Sequence, residues 1–95
     1  MILYTVRARN DLYEIENYLE LLNPAASRRV LAAIKSKIEN LSTFPGMGMM
    51  TTAGVYRLPI VRYPYAVFYE TSGDDVVIVH VRHTARTPID PETDL

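Results

Sequence analysis

Ninety-five residues, 48% of them apolar and 22% charged, suffice for one hydrophobic core and exclude both a second domain and a disordered chain. A formal net charge of −1 argues against a dedicated nucleic-acid binder, whose affinity rests on neutralising phosphates, so no sequence-specific nucleic-acid binding is expected. Without cysteine there is no disulfide framework or thiolate zinc site, and no apolar run suits a signal peptide or membrane span. The expectation is a soluble, cytoplasmic protein with no membrane partner.

Residues 2–6 (ILYTV) read as a short strand. From about Ala8 the period changes: Leu12, Ile15, Leu19 and Leu22 recur at three and four, one helical face, while Asp11, Glu14, Glu16 and Glu20 fall mostly elsewhere. Asp11 and Glu14 suit the positive end of that helix's dipole. Asn23 then caps a second helix, with Pro24 at its first position, where a missing N–H costs nothing. Leu31, Ile34, Ile38 and Leu41, broadened by Val30, form its stripe, and Phe44-Pro45-Gly46 ends it. So short a connection makes an antiparallel helical hairpin whose apolar stripe needs a sheet.

Residues 47–53 form a flexible connector carrying Met47, Met49 and Met50, read either as an adaptable docking surface or as a loop over the sheet. Residues 55–61 are a strand whose Pro59 calls for an edge or a bulge. Arg62-Tyr63-Pro64 turns the chain into a strand at 65–70, and Ser72-Gly73-Asp74-Asp75 makes a hairpin turn into a last strand at 76–83. That strand is nearly all apolar, as in a central strand buried on both faces. The order is β-α-α-β-β-β, an α+β fold: a small, mostly antiparallel sheet with a two-helix hairpin on one face. Residues 1–86 make one domain, and 87–95 an acidic tail carrying Asp90, Glu92 and Asp94.

The arginines are the dense source of functional groups. Arg57 reads either as a structural bridge between strands or as a working cation, and Arg62, beside a turn, as a solubilising charge or a contact. By strict alternation His83 shares a face with Val77, Val79 and Val81, and His80 the opposite face with Val76 and Ile78. The histidines do not converge, so neither a metal nor a cofactor is expected. Arg82 and Arg86 flank His83, and nothing apolar requires them there. Tyr56, Tyr63, Tyr65 and Tyr69 read as strand aromatics with wet hydroxyls, or as an interface.

Residues 1 to about 86 resemble the RelE/ParE toxins of type II toxin–antitoxin pairs. The carriers are Asp11-Leu12 with Ile15 and Tyr18, Asn23-Pro24-Ala25-Ala26, and Leu41 with Pro45-Gly46-Met47-Gly48. They continue in Tyr56-Arg57-Leu58, Tyr63-Pro64-Tyr65 with Tyr69, and Val81-Arg82-His83-Thr84-Ala85-Arg86. The resemblance implies a curved sheet with the hairpin on one face, and a hetero-oligomer with a small antitoxin. It also implies one of two activities, ribosome-dependent mRNA cleavage (RelE-like) or inhibition of DNA gyrase without nuclease action (ParE-like). The Pro-Gly-x-Gly turn, Tyr-Pro-Tyr and the His-x-x-Arg ending look more like ParE, with a ParD-like antitoxin and a role in plasmid stabilisation.

Metal-free RNA cleavage needs a base, an acid and cations around the phosphate. Arg57 matches the arginine of the RelE-like pattern and His83 is a candidate acid or base, but the connector offers no Lys, Glu or His and the tail no Tyr or Lys. The expected target-binding residues are Arg57, Arg62, Tyr65, Arg82, His83 and Arg86. A ribonuclease would use Arg57, Arg82, His83 and Arg86, and the antitoxin would contact Leu12, Ile15, Leu19, Val30, Ile34 and Met49.

Overall fold

The first strand, β1 (Ile2–Tyr4), stops where Thr5 diverts the chain into α1 (Val6–Leu22). Thr5 has extended backbone, and its hydroxyl accepts from the Ala8 N–H at 3.0 Å, satisfying a donor that a helix start otherwise orphans. The start expected near Ala8 is therefore corrected to Val6, and Asp11 and Glu14 are not first-turn acids. Ala8, Leu12, Ile15 and Leu19 face the core, whereas Leu22, expected in that stripe, is 67% exposed. The computed structural model describes residues 1–84, so Arg86 and the acidic tail lie outside the described residues.

Asn23 closes one helix and opens the next. Its N–H donates to the Leu19 carbonyl at 2.7 Å, and its Oδ1 accepts from Ala25 and Ala26 at 3.0 and 3.2 Å. The helix that follows, α2 (Pro24–Asn40), has Pro24 in its first turn and buries Ser27, Val30, Leu31, Ile34 and Ile38. Both caps come from residues that also break the preceding element, so the hairpin connection is encoded locally.

Four further strands follow: β2 (Met49–Met50), β3 (Tyr56–Pro59), β4 (Tyr65–Ser72) and β5 (Asp75–His83). The sheet order is β1-β5-β4-β3-β2, with β1 parallel to β5 and the remaining pairs antiparallel. The α+β architecture is the expected one with an added strand, because the connector pairs Met49 with Arg57 and Met50 with Tyr56. Ile60 N–H bonds to the Tyr65 carbonyl, so the Pro59 nitrogen faces the other side of β3, beyond the end of β2. No ladder bond is lost there. Between β4 and β5, Gly73 takes φ +59° at the first position of a two-residue turn, a conformation that costs glycine little.

The hairpin lies on one face of the sheet, α1 against β5 and α2 against β4. The strand buried on both faces is β4 over its first five residues, Tyr65, Ala66, Val67, Phe68 and Tyr69, all at 4% exposure or less, not β5 as expected. Strand β5 alternates instead, and its alternation is interrupted. Pairing runs from Ser72–Asp75 to Tyr69–Ile78, skips Val79, and resumes at Phe68–His80. The extra residue is a β-bulge, and it reverses inside and outside along the rest of the strand. Val76 and Ile78 before the bulge and Val81 after it all belong to the core. The expected faces are thus corrected: Val81 and His83 join Val76 and Ile78 beneath the helices, while His80 and Arg82 lie on the helix-free face.

Candidate functional site

On the helix-free face the strand register aligns Met49, Arg57, Phe68 and His80 in one row, and Pro59, Ala66 and Arg82 in the next. Arg57 and Arg82 are half-buried there, on either side of a buried Phe68. The Phe68 ring stacks against His80, with centroids 5.8 Å apart and planes 28° from parallel. The result is a pair of half-buried guanidinium groups over a buried apolar layer, a cationic feature suited to an acidic partner surface.

His80 is tied down at both nitrogens. Its Nδ1 meets Asp11 Oδ2 at 2.5 Å, and Nε2 lies 3.4 Å from Arg7 Nη2. An ionised carboxylate accepts only and a guanidinium donates only, so these partners assign the proton to Nδ1 and turn the Nε2 lone pair towards Arg7. The same Asp11 oxygen accepts from the Val81 N–H at 3.0 Å.

Beneath the helices, a cavity of about 160 Å³ is lined by Asp11, Glu14, Ile15, Tyr18, Tyr65, Val81 and His83. The His83 ring sits edge-on to Tyr65, centroids 5.0 Å apart at 86°. A second, wider groove of about 340 Å³ runs between the helices beside β1, lined by Tyr4, Leu12, Tyr13 and Leu31 with Arg9, Glu16 and Lys35 at its polar margin. Tyr4 has its hydroxyl pKa raised, by burial first and by the nearby Glu39 carboxylate second. Among the described residues no three His, Asp or Glu side chains converge as metal ligands would.

The structure separates the expected target-binding set. Arg57 and Arg82 share the helix-free face, and Arg62 lies exposed in the β3–β4 connection. Tyr65 and His83 lie on the helix side, with Tyr65 only 4% exposed. Of the expected antitoxin contacts, Leu12, Ile15 and Leu19 are half-buried against the core. Val30 and Ile34, at 5% and 0% exposure, are core residues, because the stripe assigned to a partner is the one that packs on the sheet. Met49 is 77% exposed but sits on the helix-free face beside Arg57, away from the helical groove. Tyr69, expected to keep a wet hydroxyl, is fully buried.

Asp11, Arg7 and His80 were missed by sequence reasoning. One signal was present: Asp11 falls on the helical stripe of Ala8, Leu12 and Ile15, and a carboxylate on a buried stripe demands a partner.

Residues 2–88 match the family model described as the ParE toxin of the type II toxin–antitoxin system parDE. A curated relative, "Toxin RelE2" of Caulobacter vibrioides, is 33% identical over 85 residues, covering 90% of this chain and 96% of the relative. The solved structure titled "Chromosomal ParDE TA system from P. aeruginosa" superposes with a TM-score of 0.74 at 22% identity, covering 86% of this chain and 92% of the other, and shows the same fold. Among the described residues no helix is long and apolar enough to cross a membrane. The chain belongs to the ParE toxin family, and is a toxin of the RelE/ParE superfamily of type II toxin–antitoxin systems.

Proposed function

We propose that this toxin acts by binding rather than by turnover, as a ParE-like inhibitor of DNA gyrase. The observation that carries this reading is the division of its functional groups between two faces. Arg57 and Arg82 stand on the helix-free face, whereas His83 is packed against Tyr65 beneath α1. The histidine that does share the arginines' face, His80, is 6% exposed and engaged by Asp11 and Arg7. A general acid or base has to reach the proton it transfers, and engagement of one ring by Tyr65 and of the other by Asp11 and Arg7 supports a role other than proton transfer. A cationic face over a buried apolar layer is suited instead to docking on an acidic protein surface.

The deciding assay is supercoiling by purified gyrase. Rising toxin should abolish supercoiling and accumulate cleaved DNA complexes, and gyrase that stays fully active at saturating toxin removes the proposal. The second reading, ribosome-dependent mRNA cleavage, is favoured by the name of the 33%-identical relative and by Arg57's position on β3. It expects transcripts cut on programmed ribosomes, with cutting lost on Arg57→Ala.

The antitoxin we propose is ParD-like, and it lays an amphipathic helix along the groove between α1 and α2. The groove's apolar Leu12, Tyr13 and Leu31 between charged margins match such a helix. An extended segment of the same antitoxin pairs with the sheet.

A further inference from the structure

Strand β1 accompanies β5 only as far as the Tyr4–Ile78 pair. Beyond it the outer edge of β5 is completed by the first turns of α1. Thr5 N–H donates to the Ile78 carbonyl at 3.0 Å, and the Thr5 hydroxyl donates to the Val79 carbonyl at 2.9 Å. Asp11 Oδ2 then accepts from both Val81 N–H and His80 Nδ1. These contacts bracket the one place where β5 carries an extra residue against β4. A strand in regular alternation would instead send Arg82 into the apolar layer of Tyr65 and Val67, and put Val81 and His83 on the helix-free face.

We propose that Asp11 is a positioning residue. By holding Val81 N–H and His80 it fixes the Val79 bulge, and the bulge decides that Arg82 stands beside Arg57 while His83 stays beneath the helices. The carboxylate suits the task because it is the acceptor-only partner that can serve an amide and an imidazole N–H together. Strand β5 thereby takes its register from a helix 70 residues earlier in the chain. The consequence for toxicity rests on the reading of the helix-free face as the target surface, whereas the register claim stands without it.

The test uses the full chain and four readouts. In the unmutated protein the His80 ring should show Nδ1 protonated and Nε2 bare by nitrogen NMR, and the opposite tautomer overturns the clamp. Asp11→Ala should speed amide exchange at Val81 by roughly 10- to 100-fold, the worth of one hydrogen bond to a charged group. It should also weaken the Ala66–Arg82 cross-strand contacts. Asp11→Asn, which keeps one acceptor oxygen and conserves shape, should stay between the two, nearer the unmutated chain. Exchange at Val81 that is the same in Asp11→Ala as in the unmutated chain, or in Asp11→Leu should the alanine variant not fold, overturns the proposal. Growth arrest should be lost in Asp11→Ala to the extent it is lost in Arg82→Ala, and partly recovered in Asp11→Asn. A loosened Val81 with undiminished arrest overturns the link to toxicity, while a negative gyrase assay bears only on the target.

Discussion

Tyr69 and Gly48 are joined by a hydrogen bond in which the Gly48 N–H donates to the phenol oxygen at 2.8 Å, and the phenol in turn donates to the Pro45 carbonyl at 2.8 Å. The ring, fully buried, also stacks on Tyr56 with centroids 5.1 Å apart. This pins the connector after α2 to the middle of the sheet. It also explains the Pro45-Gly46-Met47-Gly48 sequence: a Cβ on Gly48 would stand 2.8 Å from the Tyr69 oxygen, 2.9 Å from its Cε1 and 3.1 Å from the Arg57 carbonyl.

Gly48→Ala should therefore destabilise the fold by roughly 1–3 kcal/mol through overpacking. Tyr69→Phe should cost a similar amount, about 1–3 kcal/mol, by leaving a donor and an acceptor unmade. The two changes act on one contact, so the double variant should lose less than their sum, which denaturant titration of all three chains would read.

Burial raises the Tyr69 pKa above the ordinary 10.0, with Tyr56 adding to the rise and the Gly48 hydrogen bond opposing it. The folded protein thus holds this proton more tightly than the unfolded chain. Its contribution is constant below the unfolded value and is lost as pH climbs through the folded one. Stability should fall above about pH 10. In Tyr69→Phe the fall should be shallower, and equal alkaline slopes in the two chains would count against this assignment.

Asn23 serves both helices, but its side chain serves only α2. Asn23→Ala should lower stability by about 0.5–2 kcal/mol, and Asn23→Asp, which keeps the acceptor, should recover most of it. Thermal unfolding followed by circular dichroism is sufficient.

On the proposed gyrase target, Arg57→Ala and Arg82→Ala should each weaken inhibition roughly tenfold, equivalent to about 1.4 kcal/mol of a charged contact. His83→Ala, made on the opposite face, should leave inhibition within about twofold while reducing stability through the lost Tyr65 contact. Equal losses in all three would show that the division between faces does not govern binding.

In the helical groove, Tyr13 is 64% exposed. Tyr13→Ala should leave the melting temperature unchanged and weaken the antitoxin complex at least tenfold, as truncating an aromatic anchor of about 1.4 kcal/mol or more does. Calorimetric titration would measure it.

Much of this molecule was legible in the chain. The two amphipathic repeats, the Asn23-Pro24 junction, the Ser72–Asp75 turn and the order of the strands each depend on neighbours within a few residues, where periodicity and capping act. That is why the helical hairpin and the meander were found with bounds close to those observed. Thr5 was missed because a cap and a strand end share the same extended backbone.

Other features depend on residues far apart in the sequence. The burial of Tyr69 is decided by Pro45 and Gly48, and the faces of Arg82 and His83 by a bulge that Asp11 brackets from the other end of the chain. Period-two alternation carries no warning of an inserted residue, and one such residue exchanges every side chain beyond it between core and solvent. The sequence by itself determined the two helices, the first strand and the three-strand meander, in their order, because those choices are local, whereas β2 forms only by pairing across to β3. Only the tertiary structure decided which face each functional group occupies, because that choice depends on a hydrogen bond spanning 70 residues.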